Sequence, residues 1–252
     1  MVDKKILIDL NNVTLAFPKA NLEVTSIRDI FAKKIKKNSL AEDYKVVLRD
    51  INFKLRSGDR LGIISENGGG KSSLCRCISG SYPLSAGSIV RHGDIRALFE
   101  SSLVIYPELS GRENMSLLAE IFYDRKKHNI PQILEESLKF SELEESIDLP
   151  VKIYSKGMLL RLTLSILSAV PTDILILDEV FDGADEFFRI KLSQRIRKLI
   201  SESGTVIFIS HQEEQVLDIC TRVIVLKRGK IIFDGDPQEA FKVYRESRNS
   251  LL

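Results

Sequence analysis

The chain of 252 residues is 44% hydrophobic and 29% charged, and its formal net charge is +2. This length and composition fit a globular protein with one large domain or two small ones. The small net charge gives no indication of a nucleic-acid partner, and no apolar run approaches the ~20 residues of a membrane-spanning helix. Because the N-terminus also lacks the long apolar stretch of a secretory signal, we expect the chain to stay in the cytoplasm.

The first predicted elements are two strands near the N-terminus. NNVTLAF at 11–17 and KVVLRDINFKL at 45–55 alternate apolar and polar residues, which is typical of antiparallel strands. The second run ends at SGD, just before the apolar run RLGIIS at 60–65. This part of the sequence therefore predicts an antiparallel β edge that leads into the first buried strand.

A basic amphipathic segment, TSIRDIFAKKIKK at 25–37, lies between those two strands. Its isoleucines and its phenylalanine fall on one helical face, and arginine and lysine occupy much of the remaining surface. Two interpretations stay open for such a helix. It packs on the surface of its own domain, or it faces a membrane or a membrane-embedded partner.

A glycine-rich loop, SENGGGKSS at 65–73, separates the buried strand from a predicted helix that ends at Gly80. It fits the phosphate-loop pattern G-x-x-x-x-G-K-[ST] except that Ser65 stands at the first glycine position. In such loops, backbone N–H groups at a helix N-terminus bind phosphate oxygens, the lysine contacts the terminal phosphates and the hydroxyl ligates Mg²⁺. The serine strains the loop, by roughly 1 kcal/mol or somewhat more, only if that position needs a positive φ. We expect the phosphate-binding residues to be Asn67, Gly68, Gly69, Gly70, Lys71, Ser72 and Ser73, with Ser72 also a metal ligand.

The rest of the chain alternates strand-like and helix-like runs. Residues from about 105 to 165 are mostly helical by pattern, and apolar strands follow at 173–180, 205–211 and 221–233. This alternation is typical of an α/β fold with a parallel sheet and crossover helices, interrupted by an inserted helical subdomain.

Two of these strands end in residues that can act on a phosphate. Asp178 and Glu179 follow the apolar run ILIL, at the end of the strand where open parallel sheets bind ligands. Asp178 is the expected metal ligand, and Glu179 can orient and deprotonate an attacking water. His211 ends the strand VIFIS, where it either hydrogen-bonds the terminal phosphate or caps a helix.

Four motifs in order then resemble the ABC ATPase domains. SENGGGKSS, YSKGMLLRL at 154–162, ILILDE and Ser210–His211 are similar to the Walker A, signature, Walker B and switch-histidine motifs of that family. The resemblance implies a P-loop NTPase core over residues 1–252 as one ATP-binding domain, with a helical subdomain inserted at about 105–165. It also implies that ATP and Mg²⁺ bind between two subunits of a head-to-tail homodimer. The signature helix, with Ser155 as its N-cap and Gly157 allowing close approach, then binds the γ-phosphate held by the other subunit.

Further residues are assigned by the same resemblance. Phe17 corresponds to the aromatic that stacks on adenine, although a core phenylalanine is the alternative. Glu100 stands where most members have a glutamine that senses Mg²⁺, and a carboxylate can still ligate the metal. Asp185 resembles the aspartate that reaches across the dimer interface. Lys156 replaces the usual small residue of the signature and adds a positive charge.

These departures point to one branch of the family. The signature YSKGM, Glu100, PELSGREN at 107–114 and the long insert before Lys45 are together similar to the ATP-binding subunits of bacterial cell-surface polysaccharide exporters. Such subunits serve the export of lipid-linked O-antigen, capsule or teichoic acid. The resemblance implies a peripheral location on the cytoplasmic face of the inner membrane and transmembrane permease partners. Contact with the membrane is then expected only through the permease or the 25–37 helix.

Other functions stay open at this point. Because of Ser65, Lys156 and Glu100, the chain is alternatively a regulatory domain that binds ATP and hydrolyses it weakly. It is otherwise the ATPase subunit of another ABC exporter. Soluble ABC proteins of translation or DNA repair usually have two cassettes or long coiled coils, and the sequence has the motifs of one cassette only.

Overall fold

The computed structural model describes residues 4–19, 44–99, 105–178, 185–210 and 212–249. Its strands are β1 (Ile6–Pro18), β2 (Tyr44–Arg56), β3 (Arg60–Ser65), β4 (Ala86–Arg91), β5 (Ile95–Phe99), β6 (Ile174–Asp178), β7 (Val206–Ile209), β8 (Arg222–Lys227) and β9 (Lys230–Gly235). Its α-helices are α1 (Lys71–Ser79), α2 (Gly111–Phe122), α3 (Ile130–Ser141), α4 (Lys156–Leu167), α5 (Glu186–Ser203), α6 (Glu213–Ile219) and α7 (Pro237–Asn249), and a 3₁₀ turn spans Val151–Ile153.

The described residues bear on two expectations about the membrane. Within the described ranges, none of the helices combines the length and apolarity that crossing a membrane requires. The basic helix predicted at 25–37 lies outside the described residues. The contacts divide the chain into two compact units, the first with Met1–Arg56, Gly62–His92 and Cys220–Leu252 and the second with Ser57–Leu61 and Gly93–Ile219.

The first unit contains the antiparallel edge that the sequence predicts. β1 is the central strand of a three-stranded sheet and pairs antiparallel with β2 on one side and β4 on the other. The second half of β2 alternates buried and exposed residues, with Ile51, Phe53 and Leu55 buried. This alternation arises because one face of the sheet packs on the core and the other meets solvent.

The predicted strand at 221–233 is wrong as a single element, because the structure divides it into the hairpin β8–β9. The strands pair antiparallel, with Lys227 opposite Lys230. The two residues between them, Arg228 and Gly229, both have left-handed backbones, with φ of +50° and +74°. Two successive positive φ values produce the tight turn whose twist matches that of a hairpin. Gly229 also accepts a hydrogen bond of 2.8 Å from the backbone N–H of Arg49, which fixes the turn against β2.

The second unit contains three adjacent parallel strands in the order β5-β6-β7. All residues of β6 and β7 are buried, as expected for strands covered on both faces. Phe99, Asp178 and Ile209 are register partners at the carboxyl ends of these strands. The three strands therefore end level with one another.

The helical region of the second unit confirms the predicted helical subdomain. α2, α3 and α4 pack on one another. α2 begins with a capping box, in which the Ser110 hydroxyl accepts from the backbone N–H of Glu113 and the Glu113 carboxylate accepts from the backbone N–H of Ser110. The α/β class and its helical insert are thus as predicted. A single domain over residues 1–252 stays a prediction.

Candidate functional site

The glycine-rich loop takes a shape that two of its glycines make possible. Gly68 and Gly70 have φ of +74° and +104°, a region that side chains disfavour. A Cβ at Gly70 would also lie 2.9 Å from Leu48 Cδ2 and 3.2 Å from the Val47 carbonyl oxygen. Gly70 is the N-cap of α1 and contributes no side-chain cap. The first N–H groups of α1 therefore face the loop without a capping side chain, which is the arrangement that binds an anion.

Lys71 is held inside this loop. It is the first residue of α1 and only 7% exposed. Its Nζ donates to the Ser65 carbonyl at 3.2 Å, to Ser65 Oγ at 3.3 Å and to the Glu66 carbonyl at 3.5 Å. The ammonium group is therefore placed by the loop's own oxygens, and it supplies a positive charge beside the N-terminus of α1.

The other loop residues differ in exposure. Asn67 and Gly68 are exposed, and Gly69, Ser72 and Ser73 are half-buried. Ser65 is buried, at 4% exposure, and lies at the end of β3. Its φ is not among the positive values of the described residues. The strain that the sequence raises for a serine at this position is therefore absent.

Asp178 is the last residue of β6 and is only 8% exposed. Asp178 therefore lies at the carboxyl ends of three parallel strands that end in register. Open parallel sheets bind ligands at this edge. Glu100, Glu179 and His211, three of the residues that the sequence predicts to act on metal or phosphate, lie outside the described residues. Each of them follows the end of β5, β6 or β7 in the sequence.

The signature helix α4 begins as the sequence predicts. Its N-cap is Ser155, whose Oγ accepts a hydrogen bond of 3.2 Å from the backbone N–H of Met158. Ser155 and Lys156 are exposed. Among the described residues, a Cβ added to Gly157 would meet only Ser155 Oγ, at 3.9 Å, so this part of the first turn is open. An exposed, open helix N-terminus is accessible to an anion from outside the chain.

An ion-pair network that the sequence does not reveal fastens α4 to the start of α5. Arg161 donates to Asp185 Oδ2 at 2.7 Å and to Glu142 Oε2 at 2.7 Å, and Lys191 Nζ donates to Glu142 Oε1 at 2.7 Å. Asp185 is the N-cap of α5, and the backbone N–H of Phe188 and then Arg161 lower the pKa of its carboxyl. Hydrogen bonds from Lys191 and Arg161 likewise lower the pKa of Glu142. The signal available in the sequence was an arginine in the motif YSKGMLLRL, but nothing there identifies its two acidic partners.

Phe17 is not a core residue. It lies near the end of β1, is 38% exposed and contacts Tyr82 edge to face, with ring centroids 5.6 Å apart. Tyr82 in turn accepts a hydrogen bond of 2.7 Å from Arg76 of α1. The first unit thus presents an accessible aromatic ring beside the helix that follows the loop, and sequence reasoning missed Tyr82 and Arg76.

The fold and these motifs define the class of protein. The family model described as ABC transporter matches residues 48–182. This range contains the glycine-rich loop, the signature helix and β6 with Asp178. The chain belongs to the ABC transporter family.

Particular members of the family are similar over nearly the whole chain. The O-antigen export system ATP-binding protein RfbB of Klebsiella pneumoniae is 32% identical over 96% of this chain and 98% of its own length. RfbE of Yersinia enterocolitica, with the same description, is 36% identical over 87% and 94%. The teichoic acids export ATP-binding protein TagH of Staphylococcus haemolyticus is 30% identical over 96% and 89%.

Solved structures share the fold. The ATP-binding cassette MJ0796, in a dimeric post-hydrolysis state bound to ADP and Pi, has a TM-score of 0.69 and 19% identity over 92% of this chain and 99% of its own. The ATP-binding subunit of an ABC transporter gives a TM-score of 0.70 at 18% identity over 95% and 93%. At this level of identity the likeness concerns the fold alone.

Proposed function

We propose that the chain is the ATP-binding and ATP-hydrolysing subunit of an ABC exporter that moves a lipid-linked cell-surface polysaccharide out of the cell. The observation that carries the proposal is the glycine-rich loop, in which the left-handed Gly68 and Gly70 and the buried Lys71 lie at the N-terminus of α1. The similarity to O-antigen and teichoic acid export proteins supports the polysaccharide class of cargo.

In this proposal the loop binds the phosphates of ATP. Backbone N–H groups from Asn67 to Ser73 donate to phosphate oxygens, and Lys71 places its charge against the terminal phosphates. Phe17 stacks on the adenine ring, for which its exposure of 38% leaves room. The residues that complete nucleotide binding, Ser155 and Gly157, come from a second copy of the chain.

The donors for a metal are oxygen atoms, which suit Mg²⁺. Ser72 is half-buried and Asp178 is buried at the end of β6, and Glu100 would add a second carboxylate. A hydroxyl and one or two carboxylates, completed by phosphate and water, form the usual set for this ion. When bound, Mg²⁺ neutralises charge that develops on the phosphate oxygens.

Hydrolysis requires a water placed in line with the terminal phosphate. Glu179, which follows Asp178, orients this water and accepts its proton, and His211 hydrogen-bonds the transferring phosphoryl group. Lys71 and the N-terminus of α4 from the second copy stabilise the charge that develops. Each subunit thus binds one ATP with its own phosphate loop and contributes its signature helix to the ATP bound by the other subunit.

The partners follow from this scheme. Two copies dimerise head to tail around two ATP molecules, and the dimer drives transmembrane permease subunits at the cytoplasmic face of the inner membrane. The chain contacts the membrane only through the permease or the 25–37 helix. ATP binding closes the dimer and hydrolysis reopens it.

One substitution tests the reaction. Glu179→Gln keeps the size and hydrogen-bonding capacity of the side chain but removes the base, so we expect steady-state ATP hydrolysis to fall at least about a hundredfold. The variant should retain ATP and accumulate as a dimer in size-exclusion chromatography. Unchanged turnover would show that Glu179 is not the base. Tight ATP binding with no hydrolysis by the wild-type chain, measured with its permease, would favour a regulatory domain instead.

A further inference from the structure

The side chain of Ser65 occupies the space next to Gly69. A Cβ built on Gly69 would lie 2.5 Å from Ser65 Oγ, 2.7 Å from Ser65 Cβ and 3.0 Å from the Glu66 carbonyl oxygen. Real Cβ atoms do not approach other atoms below 3.0 Å. Rotating the serine hydroxyl removes only the first contact, because the Cβ of Ser65 is fixed by the backbone of β3. A side chain at position 69 is therefore incompatible with the side chain at position 65.

Gly69 differs in this respect from the glycines on either side of it. Gly68 and Gly70 have positive φ, whereas the φ of Gly69 lies outside the left-handed region. An alanine at position 69 would therefore suffer no backbone strain of the left-handed kind. What excludes it is contact, and two of the three nearest atoms belong to Ser65. The loop has a serine where the phosphate-loop pattern has a glycine, and a glycine where the pattern admits any residue.

The Ser65 hydroxyl also has a defined part in the loop. It donates to the Glu66 carbonyl at 2.8 Å, which leaves its lone pairs free to accept from Lys71 Nζ at 3.3 Å. The carbonyls of Ser65 and Glu66 also accept from the ammonium group, so two successive residues supply acceptors to it. These distances, from 3.2 to 3.5 Å, exceed the usual 2.7–2.9 Å of a charge-assisted hydrogen bond. These acceptors orient the lysine within the loop.

We propose that Ser65 is a positioning residue for Lys71 and that Gly69 provides the space its side chain requires. The serine and the glycine form a matched pair, so the loop is complete and not damaged. The hydroxyl holds the lysine charge where the terminal phosphates of ATP arrive, which reduces the ordering that binding would otherwise require. The proposal deepens the proposed function and rests on it, because the ligand of Lys71 is taken to be a nucleoside triphosphate.

A double-substitution cycle in the full-length chain tests the matched pair. The variants are Gly69→Ala, Ser65→Gly and the two combined, each titrated with Mg·ATP and unfolded by heat without nucleotide. We expect Gly69→Ala alone to weaken ATP binding at least about tenfold, which is about 1.4 kcal/mol, and to lower the unfolding midpoint. In the Ser65→Gly background the same alanine should weaken ATP binding less than about threefold and lower the unfolding midpoint little. The reason is that Ser65→Gly removes the Cβ and Oγ atoms that the alanine would contact.

The unfolding midpoints keep this test independent of the ligand. If the wild-type chain does not bind Mg·ATP, the proposed function fails, but the midpoints still report the contact between positions 65 and 69. Equal losses from Gly69→Ala in both backgrounds would overturn the matched pair. Gly68→Ala is the control, since its Cβ would have no neighbour within 4 Å in the described ranges and its φ is positive, so its cost should be the same in the wild-type and Ser65→Gly backgrounds.

Ser65→Ala tests the hydroxyl separately, because it keeps the Cβ and therefore the contact with Gly69. Loss of one orienting acceptor should raise the KM for ATP about threefold to tenfold and change kcat by less than twofold, while the unfolding midpoint stays near that of the wild type. A purely structural serine would instead lower the midpoint and leave KM unchanged. Either that result or kinetics equal to the wild type would overturn the positioning role.

Discussion

The two helices proposed to bind phosphate differ at their N-termini. α1 begins at Gly70, which offers no side-chain cap, and its first residue, Lys71, is buried against the loop's own oxygens. α4 begins after Ser155, whose hydroxyl caps the backbone, and its first residue, Lys156, is exposed. The first arrangement suits an anion held by the same chain, because both N–H groups and a lysine converge there. The second suits an anion brought by another molecule, because Ser155 and Lys156 are exposed.

The largest expected effect comes from removing the charge at α1. Lys71→Ala should weaken Mg·ATP binding at least about a hundredfold, because a buried, oriented cation facing the phosphates is lost. Equilibrium titration of the full-length chain measures this. Lys156→Ala is the matched control, since it removes a lysine from the first turn of α4, where ATP binding by a single chain should not change. Equal losses in both variants would show that the two helix starts do not have separate roles.

A smaller effect is expected from the cap of α4. Ser155→Ala removes the acceptor for the Met158 N–H and should lower the free energy of unfolding by about 1 kcal/mol. It should also lower ATP hydrolysis about tenfold or more, with ATP binding by the single chain unchanged, because the helix acts on the nucleotide of the other subunit.

Ser110→Ala provides the comparison for that prediction. Ser110 caps α2 in the same way, through the N–H of Glu113 at 3.2 Å, and its loss should cost similar stability. Hydrolysis should persist in this variant. If both serine variants lose hydrolysis equally, the effect of Ser155 is one of stability alone.

The smallest expected effect concerns the ion pairs that fasten α4. The pKa values of Asp185 and Glu142 are lowered in the folded state, so their contribution to stability is present above the ordinary carboxyl range and is lost as pH falls through the folded pKa values. Arg161→Gln should therefore lower the free energy of unfolding by about 1 kcal/mol near pH 7, since the acidic partners are about half exposed. The difference between variant and wild type should shrink below about pH 4.

Chemical denaturation at a series of pH values measures this difference. Arg112→Gln, which breaks the exposed pair with Asp148, is the control and should change stability less. An Arg161 effect that is the same at all pH values would mean that the side chain stabilises by packing, for instance on the ring of Phe188 5.0 Å away.

Patterns along the chain revealed much of the fold. The alternating runs at 11–17 and 45–55 predicted antiparallel strands, and the apolar runs that end at Ser65 and Asp178 predicted the strands β3 and β6. The pattern failed at 221–233, because the apolar residues on both sides of Arg228 and Gly229 favour a strand whether the chain continues or turns back. Only the left-handed backbone of Arg228 and Gly229 distinguishes the hairpin from one strand.

The candidate site was partly predictable for the same reason. The spacing of Gly70, Lys71 and Ser72 is a local property, and so is a serine three residues before the helical N–H that it caps. The partners of Arg161 were not predictable, since Glu142 and Asp185 lie far from it in sequence and come together only when α3, α4 and α5 pack. The exposure of Phe17 likewise depends on what covers β1.

The sequence by itself determined an α/β pattern and a phosphate-loop pattern, because apolar periodicity and the spacing of glycine and lysine are local properties of the chain, and its four ordered motifs resemble those of ABC ATPases. Only the tertiary structure decided whether Ser65 strains the loop. Whether a serine strains a loop depends on its φ and on its neighbours in space, and here φ is not positive and the adjoining position is a glycine. The 2.5 Å that would separate a Cβ at position 69 from Ser65 Oγ is a property of the folded loop, so no spacing rule contains it.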